Sequence, residues 1–188
     1  MEIVSRVKNI LLSPHAEWKA IAGESATTRS LYTDYIVPMS AIPPVCALIG
    51  MSIFVGSIGF GSILGVAVLQ YLLGLGAVYI VALIAQKLAP SFGGRGDFIQ
   101  ALKLIAYAYT ASWLGGIFFL IPFLGLVSLL LSLYSLYLLY AGTTPVMGVE
   151  PNRAVAYTVV VVICVIIIFL AISYLMGFVL GMSMMRMG

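Results

Sequence analysis

Long apolar runs separated by short charged segments dominate the chain. No charged residue or histidine occurs in residues 35–86, 104–149 or 154–185. A helical membrane crossing needs about 20 apolar residues at about 1.5 Å each. The first two runs are long enough for two crossings each, and the third is long enough for one. The pattern therefore predicts five spanning helices, over residues 35–57, 62–86, 98–120, 123–141 and 155–181.

Turn residues occur where the two longer runs must be divided. The sequence GSIGFGS at 56–62 interrupts the first run, and IPFLG at 121–125 interrupts the second. Glycine and proline are typical of turns between regular elements. Each of these two runs is therefore predicted to form two crossings joined by a tight turn.

The composition agrees with this pattern. Of the 188 residues, 63% are hydrophobic and only 8% are charged, whereas soluble domains carry roughly 25% charged residues. So few polar groups cannot cover a globular surface in water. We therefore predict an all-α polytopic membrane protein with five transmembrane helices and an N-terminal amphipathic interfacial helix. The net charge of +3 follows from the topology and does not indicate a nucleic-acid partner.

The distribution of basic residues predicts the orientation. Cytosolic loops carry an excess of Lys and Arg. With the N-terminus in the cytosol, the opposite side carries only Arg186, so the expected topology is N-in, C-out. The basic residues on the expected cytosolic side are Arg6, Lys8, Lys19, Arg29, Lys87, Arg95, Lys103 and Arg153.

Residues 1–30 are predicted to form a cytosolic or interfacial segment ahead of a transmembrane domain at 31–185. Within residues 2–12, apolar side chains recur at helical spacing, and Arg6 and Lys8 fall on the opposite face. Such a helix suits the plane of the lipid headgroups.

A second short helix is expected directly after the first, and no cleavable signal peptide is recognisable. Ser13 can cap this helix and Pro14 suits its first position. Trp18 is expected to anchor at the membrane interface. His15, the single histidine, is interpreted as an exposed residue of the first turn.

Two consecutive prolines predict a break in the first span. Pro43 and Pro44 lack amide donors, so the carbonyl groups of Met39 and Ser40 lose their helical partners. In lipid these carbonyl groups need neighbouring helices, hydroxyl groups or water. Broken helices bind substrates or ions in some transporters, but a kink that helps the helices pack is the favoured interpretation.

The glycine-rich segment SFGGRGDF is the part of the chain that most resembles a ligand-binding loop. Gly93 and Gly94 permit a sharp turn, and Arg95 marks the cytosolic side. Asp97 has the position of a helix N-cap, with Gln100 as its reciprocal partner. A turn is the favoured interpretation, and a lipid headgroup bound near Arg95 is the alternative.

Two other functions of this segment are excluded. A phosphate-binding loop needs the GxxxxGK[ST] pattern between a strand and a helix, which is absent. An extracellular adhesion tripeptide is incompatible with the expected cytosolic side. Lys103, just inside the third span, is expected to extend its ammonium group back to the interface.

Aromatic residues are concentrated in the third and fourth spans. The fourth span has tyrosines every three residues, at Tyr134, Tyr137 and Tyr140. The third contains aromatic and hydroxyl side chains, namely Tyr107, Tyr109, Thr110, Ser112 and Trp113. Buried tyrosines usually find hydrogen-bond partners. These side chains either line a polar cleft or hold the bundle together, and the second interpretation is favoured.

Few other polar or reactive side chains fall inside the spans. Gln70 is expected to form a hydrogen bond between helices. Cys46 and Cys164 are interpreted as small apolar packing residues without a disulfide between them. Glycines at GxxxG spacing in the second and fifth spans are a weak signal for self-association.

The sequence contains no recognisable catalytic constellation. No ionisable residue is expected deep in any span, although pumps and proton-coupled carriers usually require one. A Cys/His cluster, a nucleophile with its base and a dinucleotide fingerprint are all missing from the sequence. We therefore predict no enzymatic activity, no catalytic or metal-binding residues and no cofactor.

Several segments, in their order along the chain, resemble the Yip1 family of membrane proteins. They are ILLSPHAEWKAIAGE, YIVPMSAIPPVCALIG, GGRGDFIQALKLIAYAYTASWLGG, IPFLG and YSLYLLYAG. The resemblance implies a non-enzymatic integral membrane protein. Eukaryotic members act in vesicle traffic between ER and Golgi and associate with Rab GTPases. This chain is more similar to the compact prokaryotic branch, and the resemblance assigns no functional residues.

Two functional hypotheses follow. The first is a protein that organises the membrane or binds partners, namely lipids, other membrane proteins or further copies of itself. The second is a small oligomeric transporter or channel subunit, motivated by the prolines and tyrosines of the spans. The expected location is a bacterial or archaeal plasma membrane, with the ER or Golgi as the alternative.

Overall fold

The computed structural model describes the backbone of residues 3–54 and 60–187 and the side chains of residues 3–53, 64–121 and 123–178. All regular secondary structure in these residues is helical, so the all-α prediction is confirmed. The physical reason is that a helix satisfies its backbone hydrogen bonds within one segment, which hydrocarbon requires.

Five helical segments in the described part of the chain are long and apolar enough to cross a membrane, as predicted. The expected turn after the third span is present, since Ile121 is extended and the 3-10 turn Pro122–Leu124 follows it. The expected turn at 56–62 lies largely outside the described residues. The first to fifth spans are Thr28–Ile53, Leu64–Phe92, Phe98–Leu120, Gly125–Met147 and Ala154–Phe178.

The third span lies at the centre of the bundle. In its apolar window 67% of the residues are buried, against 28% or less in each other span. Its first helix, α7 (Phe98–Ala108), packs between α6 (Phe60–Leu88) and α9 (Gly125–Met147). Ala101 and Ala106 are fully buried in α7, and such small side chains let neighbouring helices approach closely. Side chains of α7 are therefore shielded from lipid.

The third span has the predicted bounds, but it is not one continuous helix. Helix α7 ends at Ala108, α8 (Thr110–Gly115) begins after Tyr109, and a 3-10 segment (Gly116–Leu120) completes the crossing. A Cβ atom on Gly116 would lie 2.6 Å from Pro43. The first and third spans therefore touch where both depart from a regular helix.

The first span is also composite, as its prolines predict. It contains α3 (Thr28–Leu31), a π-helical turn (Tyr32–Ile36) and α4 (Val37–Ser40). After a turn at Ala41, α5 (Ile42–Phe54) continues the crossing. The predicted break is confirmed and lies directly before Pro43.

The fourth span is longer than predicted. Helix α9 continues past the expected end at residue 141, through Pro145, to Met147. Gly148 ends it with a left-handed backbone (φ 67°), a conformation that glycine adopts without steric cost. The fifth span belongs to α10 (Ala154–Met187), so only a short loop separates the two helices.

Residues before the first span form a helical hairpin, α1 (Ile3–Leu12) followed by α2 (Pro14–Gly23). Ile10, Trp18 and Ile21 are fully buried and belong to the same core as the spans. Helix α2 packs along α9. The amphipathic helix is therefore present, and its apolar face is turned toward the bundle.

Three expectations for this hairpin are wrong. Arg6 lies on the buried face of α1, with only 4% of its surface exposed. Carboxylates of α2 and of the following loop bind it there. Trp18 is not an interface anchor, because its ring occupies the space that Gly142 leaves on α9, 2.7 Å from where a Cβ atom would be. Ser13 makes no side-chain cap, although Pro14 does begin α2.

Candidate functional site

An apolar cleft of about 540 Å³ lies where the five spans meet. Its walls come from residues 40–47, 70–81, 105–119, 132–139 and 162–172, one range from each span. These ranges lie near the middle of their spans. The cleft is therefore a feature of the membrane-embedded part of the protein.

The lining of the cleft is mostly aliphatic and aromatic. Among the described residues, no charged side chain, histidine or cysteine contributes to it. Gln70, Leu136 and Phe169 line the cleft and are also exposed at the surface of the bundle. The cleft therefore opens toward the surrounding hydrocarbon and can exchange contents with it.

Pro43 and Pro44 form part of the wall. The backbone carbonyl of Val37, one turn before the break, accepts a hydrogen bond from the hydroxyl of Tyr71 on α6 at 2.9 Å. The sequence correctly predicted that a hydroxyl group could bond a carbonyl freed by the break. It predicted the carbonyl groups of Met39 and Ser40, whereas the bonded one is that of Val37. The amide of Ala41, which would bond the Val37 carbonyl in a regular helix, lies in the turn between α4 and α5.

Trp113 lies in the wall next to Tyr109. The two rings are stacked, with centroids 5.9 Å apart and an interplanar angle of 26°. Close by, the hydroxyl groups of Ser112 and Ser135 are 2.9 Å apart, and the Ser112 amide donates to Ser135 at 2.8 Å. These contacts join α8 to α9 and hold one side of the cleft in place.

Among the described residues, Gln70 has no partner for the hydrogen bond between helices that was expected of it. Its side chain is exposed, lines the cleft and has no hydrogen-bond partner among the described residues. Tyr109 likewise lines the cleft, and its hydroxyl has no hydrogen-bond partner in the described part of the chain. The cleft therefore presents two unused polar groups within apolar walls.

A buried group of charges holds the N-terminal hairpin together. Arg6 donates to Glu17 and to Glu24, each at 2.5 Å. Burial acts to lower the pKa of Arg6, but its hydrogen bond to Glu24 and the nearby negative charges outweigh burial and raise that pKa. Arg6 is therefore charged at any physiological pH, and the two carboxylates balance it.

Lys103 of α7 binds the end of the same hairpin. Its ammonium group donates to the backbone carbonyl of Ile21 at 2.9 Å and to that of Glu24. Only 2% of its surface is exposed, so the expectation that it extends to the interface is wrong. The last carbonyl groups of a helix attract a cation, and those at and just after the end of α2 hold the ammonium group inside the bundle.

Tyr107 joins this charged group to the core. Its ring lies beneath the guanidinium group of Arg6, 5.4 Å from the ring centroid, and contacts the ring of Tyr35 edge-on at 4.5 Å. The hydroxyl of Tyr35 is 2.6 Å from that of Thr110 on α8. Tyr107 lies outside the cleft and holds helices together, as the favoured interpretation predicts.

The segment from Gly93 to Asp97 is a turn, as the sequence predicts. Gly93 has φ 78°, and a Cβ atom on Gly94 would lie 2.7 Å from Val149. The amide of Arg95 donates to the carbonyl of Met147 at 2.7 Å. The turn therefore rests against the loop that follows α9, and glycine is needed because the two backbones nearly touch.

Asp97 caps α7, accepting hydrogen bonds from the amides of Ile99 and Gln100 at 2.8 and 3.1 Å. The reciprocal contact is absent, because the Gln100 side chain donates instead to the carbonyl of Ala22 at 3.2 Å. Arg95 is exposed, with its side chain against Gly148. A headgroup bound at Arg95 stays a prediction.

The tyrosines of α9 do not form a cleft with those of the third span. The hydroxyl of Tyr134 donates to the carbonyl of Leu11 at 2.8 Å and so fastens the hairpin to α9. Tyr137 and Tyr140 are exposed. The cleft instead contains Tyr71 and Tyr109, and the sequence offered no signal that Tyr71 would face it.

The geometry offers no obvious metal site in the described residues, where no three His, Cys, Asp or Glu side chains come together. Cys46 and Cys164 are free thiols on different spans.

The sequence profile of the Yip1 domain matches residues 8–173. The chain belongs to the Yip1 domain family. The match begins inside α1 and continues through most of α10, so it includes most of the hairpin and all of the cleft, and Arg6 lies two residues before it. The family expected from the sequence is therefore confirmed.

The Yip1-domain chain is also similar to the inner membrane protein YohC of Escherichia coli, in strain K12 and in strain CFT073. Identity is 25% over 187 aligned positions in both cases, covering 92% of this chain and 96% of the relative. No solved structure matches the chain. Together with the five apolar helices, these relatives identify a multi-pass integral protein of the inner membrane, as predicted.

Proposed function

We propose that this Yip1-domain protein is a non-enzymatic binding protein of the inner membrane. It holds a membrane-soluble ligand in the central cleft and in this way helps to organise lipids or protein partners around it. The cleft between the five spans is the observation that carries the proposal. Its volume of about 540 Å³ lies within the range of about 300–1,000 Å³ that is usual for small-molecule pockets.

The chemistry of the cleft wall supports binding rather than conversion. The polar groups that line it are hydroxyl and amide groups of residues such as Ser40, Gln70 and Tyr109. General acid–base catalysis usually depends on His, Glu, Asp or Lys placed at the reacting atoms, and the described wall supplies none of these. Such a wall favours an uncharged, largely apolar occupant.

The proposal is tested by a substitution that fills the cleft with a larger side chain. Gly74 lines the cleft, and a Cβ atom there meets no atom within 4 Å, so Gly74→Phe places a ring in the cavity without displacing the backbone. We expect the purified variant to retain several-fold less bound lipid than the wild type, measured by mass spectrometry of extracts from mild detergent.

Gly76→Phe is the matched control. Gly76 lies on the same helix, also has no atom within 4 Å of a Cβ position, and is exposed outside the cleft. Its bound lipid should equal that of the wild type. Equal lipid content in all three proteins would contradict the proposed function.

A transporter subunit is the second candidate, because the breaks at Ala41 and Tyr109 lie next to or on the cleft wall. Discontinuous helices surround the binding sites of several transporters. Reconstitution into liposomes distinguishes the two: faster solute flux than in empty vesicles favours transport, and unchanged flux with bound lipid favours the binding protein.

A further inference from the structure

Gln70 is in an unusual position for an amide side chain. It lies ten residues into α6, about 15 Å from the start of that helix, in a run without charges. Its side chain is exposed to the region that hydrocarbon occupies and has no hydrogen-bond partner among the described residues. An unpaired amide in hydrocarbon is unfavourable, so the position of Gln70 favours an occupant of the cleft that offers it a hydrogen bond.

Tyr109 shows the same lack of a partner from the inner side of the cleft. Five other tyrosine hydroxyl groups in the described bundle are hydrogen-bonded, and buried tyrosines usually seek such partners. Tyr109 lines the same cleft as Gln70. The tyrosines whose hydroxyl groups do have partners are Tyr32, Tyr35, Tyr71, Tyr134 and Tyr157.

We propose that the cleft binds an uncharged long-chain lipid whose hydroxyl or carbonyl oxygen forms hydrogen bonds with Gln70 and Tyr109. This inference rests on the proposed function and names its ligand class. The apolar walls contact the hydrocarbon chain, and the two polar side chains donate hydrogen bonds to the oxygen. A charged headgroup is excluded because no described wall residue carries a compensating charge and desolvation of an unpaired charge is costly.

The size of the cleft argues for a single chain and against a helix of a second copy. A helix with side chains is about 10–12 Å across. A volume of about 540 Å³ therefore holds roughly one turn of such a helix, whereas a flexible hydrocarbon chain can fill an irregular space of this size. The occupant is therefore a lipid molecule, which the membrane supplies in excess.

The test uses hexadecanol carrying a photoactivatable diazirine, with the full chain in lipid nanodiscs. Unlabelled hexadecanol should compete with the probe, whereas hexadecane and hexadecyl phosphate should compete more weakly. Gln70→Leu and Tyr109→Phe should each weaken competition by hexadecanol about three- to tenfold, the effect of losing one intramembrane hydrogen bond. Competition by hexadecane should not change.

Tyr109→Phe keeps the ring that stacks on Trp113, so it should fold normally. Gln86→Leu is the control for the amide, because Gln86 lies on the same helix outside the cleft and bonds the Gly96 carbonyl. Its competition should equal that of the wild type. The labelled peptide should come from the residue ranges that line the cleft.

The outcomes separate the two proposals. If Gly74→Phe abolishes labelling but the polar variants compete like the wild type, the ligand class is wrong and the proposed function stands. If Gly74→Phe labels like the wild type, both fail. If Gln70→Leu turns a dimer into a monomer and leaves competition unchanged, a second copy satisfies the amide and the inference is overturned.

Discussion

Arg6 is the residue whose surroundings matter most for the N-terminal hairpin. It joins three elements, because its guanidinium group bonds Glu17 of α2 and Glu24 of the following loop and lies over Tyr107 of α7. Removing one partner from a buried ion pair leaves an uncompensated charge. The side chain of Glu17 is 9% exposed and that of Glu24 is 42% exposed. Loss of Arg6 would therefore destabilise the fold mainly by leaving the buried Glu17 carboxylate without a partner.

We expect Arg6→Met to lower the free energy of unfolding by about 3 kcal/mol, seen as a lower midpoint of thermal unfolding in detergent. Lys8→Met, on the exposed face of the same helix, should leave the midpoint nearly unchanged. Adding Glu17→Gln to Arg6→Met should recover part of the loss. Equal effects of the Arg6 and Lys8 substitutions would show that the ion pair is not buried in the membrane-embedded protein.

At the scale of elements, the hairpin depends on close contact between α2 and α9. Gly142 allows it, because a Cβ atom there would lie 2.7 Å from both Trp18 and Leu104. Lys103 and Tyr134 add hydrogen bonds from the spans to backbone carbonyl groups of the hairpin. The hairpin is therefore packed as part of the folded bundle.

Gly142→Leu should therefore separate α2 from α9, since overpacking a core costs about 1–3 kcal/mol. The expected result is faster hydrogen exchange of the α2 amides, while α6 and α10 stay protected. Gly125→Leu is a suitable control on the same helix, because no atom lies within 4 Å of a Cβ position there. Unchanged exchange in α2 would show that the ring of Trp18 can move without loss of contact.

At the scale of the whole molecule, the odd number of spans requires the two ends of the chain to lie on opposite sides of the membrane. The distribution of basic residues predicts that the N-terminal side is cytosolic. The turn with Arg95 and the loop with Arg153 lie at the same end of the bundle, since the Arg95 amide bonds Met147. The charges of these two loops, which contribute to the predicted orientation, thus lie at one end.

Fusion of green fluorescent protein to either end tests this topology. Fluorescence should appear with the N-terminal fusion and be absent with the C-terminal one, because the protein does not become fluorescent after export through the general secretion route. Alkaline phosphatase at the same positions should report the opposite pattern. Fluorescence from the C-terminal fusion would be incompatible with five crossings and a cytosolic N-terminus.

Local features of the sequence predicted local features of the structure well. The break before Pro43, the turn at Gly93 and the cap at Asp97 each depend on one or two residues and their own backbone. Predictions that needed a distant partner were wrong for Arg6, Trp18 and Lys103. Their partners are supplied by elements that only folding brings together.

The spans, their number and the family follow from the sequence alone, because the cost of placing charge in hydrocarbon is decided residue by residue. The face of α1 that is buried, the discontinuity at Tyr109 and the cleft were decided by tertiary structure. Each depends on how helices far apart in sequence fill space against one another. Periodicity shows which side chains share a face of a helix, but packing decides what that face meets.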